Sequence, residues 1–295
     1  FLEILLLLFL GFLSSLSLPP LNFFFINFFT FSIFFIFLFK KLDNEFNKKI
    51  FFFYGWLFGF GYFLSSLYWI TISLTFDENF KFLIPIALIL IPSFLALFYG
   101  LITYIFCLFK LKKVISAFFL FSLLFGLTEF IRGNILTGFP WNLIVFSFSE
   151  NLGFLSFISV IGTYSLNLIV ISFFSAPAIY ILRKSKKEII VSILILSLPI
   201  IFYVYNSFYI IKFKKKEIIE NTYVIRIIGS NINLNRFYDD SKTDKTIKEL
   251  IRLSSPDKDK KIFFLWPEGI IPNVYQNELT NFKYLFKQNF NENHL

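Results

Sequence analysis

Hydrophobic positions in this chain come as long unbroken runs first and as periodic stripes only later. Runs at roughly 1–18, 21–39, 50–75, 82–109, 114–131, 154–182 and 189–211 are apolar nearly all round. A helix that crosses a bilayer needs about 20 mostly apolar residues, so residues 1–211 are expected to form a transmembrane bundle of about seven helices. The first two, joined through Pro19-Pro20, are expected to be short or tilted. The stretch 133–151 is also apolar, but it holds Gly133, Gly138, Pro140 and Glu150 and reads as an interfacial loop or re-entrant piece. Beyond Lys212–Lys216 the period changes. Tyr223–Ile228 is a β-branched run and predicts a strand. Asp239–Ser255 places Ile247, Leu250 and Ile251 on one helical face, Lys261–Trp266 predicts a second strand, and Asn277–Phe290 repeats the helical pattern. Strand, helix, strand, helix predicts a parallel sheet with right-handed crossovers over residues 222–295. The fold class is therefore a multi-pass α-helical membrane protein with a partial α/β domain.

Composition agrees with that pattern. The chain is 57% hydrophobic and 22% aromatic, more apolar than a soluble domain requires. Its 48 Phe read as codon bias in an AT-rich genome, with Phe standing where Leu would serve. Met is absent, so the N-terminus is expected to be incomplete or processed. The lone Cys107 lies in an apolar run and reads as a small packing residue; no disulfide, metal site or cofactor is expected.

The net charge of +9 would suit nucleic acid in a soluble protein. Here the cations cluster at the ends of apolar runs, so a membrane is expected as partner and no nucleic acid. Lys40, Lys41, Lys48 and Lys49 occupy one loop, Lys110, Lys112 and Lys113 a second, and Arg183, Lys184, Lys186 and Lys187 a third. The alternate loops hold only Lys81 and Arg132. The positive-inside rule puts the three basic loops in the cytoplasm, and seven crossings then put 222–295 outside. Lys212 and Lys214–Lys216 oppose this, but long domains translocate largely regardless of charge.

Candidate chemistry is sparse. Parallel sheets place their sites outside the carboxyl ends of strands. Glu268 follows Trp266-Pro267 at one such end and Asn231 follows the other. Pro267 ends the strand, and a Glu walled by Trp266 could be desolvated and act as a general base; an ordinary exposed turn is the plainer reading. Glu129 lies near the end of a span, three residues from Arg132. It reads as a structural ion pair or as a head-group or substrate contact at the outer surface. Trp69 and Trp141 read as interfacial anchors, and Gly59, Gly61 and Gly162 as close-packing positions within spans.

Taken in order, several segments resemble the apolipoprotein N-acyltransferase family. They are Gly59-Phe60-Gly61-Tyr62-Phe63 with Tyr68-Trp69, Glu129-Phe130-Ile131-Arg132-Gly133, and Leu136-Thr137-Gly138-Phe139-Pro140-Trp141-Asn142. Ile161-Gly162-Thr163-Tyr164-Ser165-Leu166-Asn167, Ser230-Asn231-Ile232 and Trp266-Pro267-Glu268 complete the set, which runs from about residue 50 to 275. The resemblance implies an eight-helix protein of the bacterial inner membrane, with a nitrilase-like (α-β-β-α) periplasmic domain between helices seven and eight. It implies transfer of an acyl chain from a phospholipid donor to the N-terminal amine of a diacylglyceryl-cysteine apolipoprotein, the last step of lipoprotein maturation. A Glu-Lys-Cys triad works through a thioester, and a monomer without cofactor is expected.

Only the Glu of that triad maps here, to Glu268. The resemblance puts the Lys and Cys beyond Leu295, so this chain alone is expected to be inactive. Asn231, Phe237, Trp141 and Trp266 are the expected substrate contacts. Arg236-Phe237 stands where the family commonly has Lys-Trp, and Gly229-Ser230-Asn231 where it often has Gln-Gly-Asn. Three other readings stay open: a multi-pass transporter or channel, a non-catalytic membrane scaffold, and a relative acting on another polyprenyl or lipid substrate. The near absence of ionisable residues within the spans weighs against a transporter.

Overall fold

Backbone inside a bilayer must satisfy its own hydrogen bonds, and the apolar runs do so as helices. The structure is a computed structural model that describes residues 1–44, 47–136, 138–214, 224–232, 243–271, 274–275 and 277–294. The chain divides into two compact units, Phe1–Lys214 and Lys215–Leu295. In the first, α1 spans Leu2–Ser15, α2 Ile26–Asn44, α3 Lys48–Leu67, α4 Ile84–Leu108 and α5 Val114–Asn134. Short α6 (Leu152–Leu155) and α7 (Ile158–Ile161) precede α8 (Thr163–Ile181), α9 (Lys186–Leu196) and α10 (Leu198–Lys214).

Among the described residues, five stretches are long and apolar enough to cross a membrane: Lys48–Thr75, Glu78–Leu108, Val114–Asn134, Thr163–Ile181 and Lys186–Phe208. The chain is thus a multi-pass membrane protein. The other two expected spans are α1, a 14-residue helix shorter than a bilayer requires, and α2, which closes on Lys40 and Lys41 and is not among the five. The expected helix over 154–182 is interrupted. Gly162 sits at φ +82 between α7 and α8 with no atom near where its Cβ would be. It separates the two helices at a positive φ and is not a close-packing position. Residues 135–136 and 138–143 lie outside any helix, and a 3-10 turn follows at Ile144–Phe148.

Sequence explains the helix starts. Asn47 caps α3 by accepting from the Lys49 amide, and Glu188 accepts from the Ser185 amide at the start of α9. The core is built of rings. Phe34 stacks on Phe58 at 4.2 Å, while Phe31, Phe35, Phe121 and Phe125 meet one another or these two at tilted or edge-on angles. A Phe-rich composition thereby becomes an interlocked core, since such pairs add to plain area burial. Cys107 is buried, as expected of a packing residue.

Small residues let the helices approach. A Cβ on Gly11 would lie 2.0 Å from the Phe58 carbonyl oxygen, and one on Gly61 would lie 2.2 Å from that of Leu8. On the next seam, a Cβ on Gly55 would lie 2.2 Å from the Tyr99 carbonyl oxygen. Replacing Gly55 by Leu must therefore separate α3 from α4. Overpacking of this kind costs about 1–3 kcal/mol or more. Loss of helical circular dichroism on heating in detergent is expected at a lower temperature than for the parent; an unchanged melt would contradict this packing.

In the second unit, β1 (Val224–Ile227) pairs in parallel with β2 (Ile262–Leu265), with Ile225 opposite Phe263 and Ile227 opposite Leu265. Helix α11 (Thr243–Ser254) turns Ile247, Leu250 and Ile251 inward. Ile247 and Ile251 form a buried cluster with Leu285 of α12 (Lys283–Asn289), joined by Trp266, Phe282, Phe286 and Phe290. The Tyr284 hydroxyl donates to Asp244 at 2.7 Å and ties the two helices. Ile225, Ile227, Phe263 and Leu265 lie exposed.

Candidate functional site

Among the described residues, two places gather the candidate residues, one in each unit. In the first unit, a pocket of about 960 Å³ forms where α1 and α3 end and the loop after α5 returns. Its walls include Ser15, Ser65, Ser66, Trp69, Trp141 and Asn142. The rim is aromatic: Trp69 and Trp141 meet at 5.9 Å. Hydroxyls line it as well, with the Ser65 Oγ donating to Ser15 Oγ at 2.7 Å and the Ser66 Oγ donating to the Tyr62 carbonyl. Such a mixture of apolar walls and a few fixed polar groups suits an amphiphile.

The loop bearing Trp141 is held from inside the bundle. Arg132 donates through Nε to Glu129 Oε2 at 2.9 Å and through Nη2 to the same oxygen. It also donates to the carbonyls of Phe139 (2.6 Å) and Trp141 (3.0 Å). The Tyr62 hydroxyl donates to the Asn142 carbonyl at 2.8 Å, and Asn142 Nδ2 donates to the Ser66 carbonyl. Glu129 and Arg132 are both about 1% exposed and paired, so the fold builds the structural ion pair, one of the two readings the sequence offers. Gly138 stands at φ +74, where a Cβ would lie 2.6 Å from the Gly133 carbonyl oxygen; the turn needs glycine on both counts. Tyr62 and Asn142 both lie in the family-like segments, and their sequence context alone assigns neither a role.

In the second unit, parallel pairing sends the chain out of β1 and β2 at the same end. Asn231 follows β1 and Glu268 follows β2, both exposed. Glu268 precedes Gly269, which holds φ +62 and completes the turn. The expected desolvation by Trp266 is not seen here. Trp266 turns toward the helices instead: its indole N–H donates to Ser254 Oγ at 2.9 Å and its ring meets Phe286 at 5.9 Å. Phe237 lies outside the described residues.

These features define a class: a multi-pass membrane protein with an apolar-walled pocket at one end of its bundle and a small parallel α/β element following it in sequence. Residues 10–176, more than half of the chain, match the family model described as the apolipoprotein N-acyltransferase N-terminal domain, and the chain belongs to that family. It is 28% identical over 279 residues to the apolipoprotein N-acyltransferase of Allorhizobium ampelinum, covering 90% of this chain and 51% of that protein. It is 36% identical over 198 residues to that of Rickettsia prowazekii (65% and 38%) and 41% identical over 130 residues to that of Rhodopseudomonas palustris (43% and 24%). The chain spans no more than about half the length of these curated relatives.

Proposed function

We propose that this chain supplies the membrane bundle and the first part of a periplasmic, nitrilase-like catalytic layer of an enzyme of lipoprotein maturation. The enzyme moves an acyl chain from a phospholipid to the N-terminal amine of a diacylglyceryl-cysteine apolipoprotein at the bacterial inner membrane. The observation that carries this reading is the pairing of β1 and β2, which delivers Asn231 and Glu268 from one end of a parallel sheet. Family membership supports it, since the curated relatives bear that activity's name.

Glu268 acts as general base. It takes the thiol proton as the Cys sulfur attacks the donor ester. The ester C–O bond breaks, a thioester forms, and the lysophospholipid oxygen leaves with a proton. In the second half the lipoprotein amine attacks the thioester, the C–S bond breaks, and the amine proton is removed as the thiol re-forms. The Cys and Lys that the resemblance implies have no matching residue in this sequence. The 960 Å³ pocket holds the donor lipid, its apolar walls taking acyl chain and Trp69 and Trp141 lying at the glycerol level.

Orientation follows from the basic loops. Asn47 precedes α3 and Lys113 precedes α5, so these loops join the helix ends opposite those that line the pocket. With Cys107 replaced by Ala, single cysteines at Asn47, Ser185 and Asn277 are expected to divide. An impermeant thiol reagent applied to intact spheroplasts should label position 277 and spare 47 and 185. The reverse pattern would invert the topology and remove the periplasmic reading.

A further inference from the structure

The contacts of Arg132 exceed what neutralising Glu129 requires. One buried guanidinium reaches two carbonyls, Phe139 and Trp141, two residues apart in the same loop. Pro140 between them fixes the backbone torsion. Asn142 next in line holds φ +59, a left-handed conformation that Asn adopts more readily than most residues, and its carbonyl is tied by Tyr62. The residue at the centre of this clamp, Trp141, is itself 56% exposed and lines the pocket beside Trp69. A buried ion pair thus grips the backbone of a residue whose side chain packs on the surface.

We propose that Glu129 and Arg132 are positioning residues for Trp141. Glu129 orients the fork of Arg132, the fork sets the backbone of residues 139–142, and that backbone aims the indole along the pocket wall. The planar fork is essential, because an ammonium offers a point charge and cannot serve a carboxylate and two separate carbonyls in the same geometry. The inference rests on the reading of the pocket as a lipid site only for its consequence to substrate; its test reads Trp141 itself.

The test uses the full chain in phospholipid nanodiscs with Trp56, Trp69 and Trp266 changed to Phe, leaving Trp141 as the reporter. Arg132→Lys keeps the charge pair and loses the fork. The exchange Glu129→Arg with Arg132→Glu keeps the pair and moves the guanidinium almost one helical turn from the loop. Both are expected to lower Trp141 anisotropy and raise its quenching by acrylamide, while helical circular dichroism is retained. Tyr62→Phe removes one clamp without touching the ions and should shift both readings the same way, by less. It carries the test if the charge variants do not fold. Parental anisotropy and quenching in folded Arg132→Lys, in the folded exchange variant, or in Tyr62→Phe when neither charge variant folds would overturn the proposal. The pair would then be a charge neutraliser alone. Failure of lipid to protect Trp141 from quenching in the parent would count against the lipid-site reading and leave the positioning result standing.

Discussion

Replacing Glu268 by Gln in the full-length protein is expected to cut acyl transfer by about 10²–10⁴, the usual contribution of a positioned general base. The amide preserves the shape of the side chain at the carboxyl end of β2 and cannot accept the proton. On the proposed mechanism the loss should fall on thioester formation as well as on turnover, because Glu268 takes the thiol proton in the first half. Glu268 stands exposed, so the substitution should leave stability nearly unchanged. The measurement is a burst assay with labelled phospholipid that traps the acyl-enzyme. A normal burst from the Gln variant would remove Glu268 from the mechanism.

Arg132→Leu is expected to have the largest effect on stability. It leaves the Glu129 carboxylate buried without its partner and frees the carbonyls of Phe139 and Trp141 in the same step. Removing one member of a buried pair costs about 3–5 kcal/mol, whereas removing both is often close to neutral. Glu129→Leu together with Arg132→Leu should therefore recover much of the lost melting temperature, though not the loop. Thermal unfolding of single and double variants in one detergent checks this. A double variant no more stable than Arg132→Leu alone would show that the loop contacts, not the unpaired charge, dominate the cost.

The bundle was legible from the sequence because bilayer-length apolar runs and basic loops leave few alternatives. The five long stretches fall where the runs do. The break at Gly162 was not legible, because a glycine inside an apolar run signals close packing and a helix break equally. In the second unit the stripe of Ile247, Leu250 and Ile251 and the two β-branched runs gave the helix and the parallel pair. What escaped were contacts to backbone. The distinctive partners of Arg132 are carbonyl oxygens, and carbonyls carry no residue identity that a sequence could display. Trp266 escaped for a related reason: an aromatic beside a candidate base suggests a wall for it, but its indole found Ser254 across the α11 face. Glu268 was legible as a position at a strand end, and its environment was not.

Glu129 and Arg132 stand three residues apart on one helix, and that spacing bears on how the protein is made. A pair split between two helices would send each into the bilayer as a bare ion, at a cost that reaches roughly 2.5–3.5 kcal/mol for such a residue at mid-membrane and is smaller near the end of α5, where this pair lies. Here the ions can close on each other while α5 is still alone, so this segment can leave the translocon before its neighbours arrive. Only the two outward N–H directions of the guanidinium then wait for the chain beyond Gly138 to fold back. A single turn of helix thus lets the ion pair close within α5 alone, and the loop contacts are the part that needs the rest of the chain.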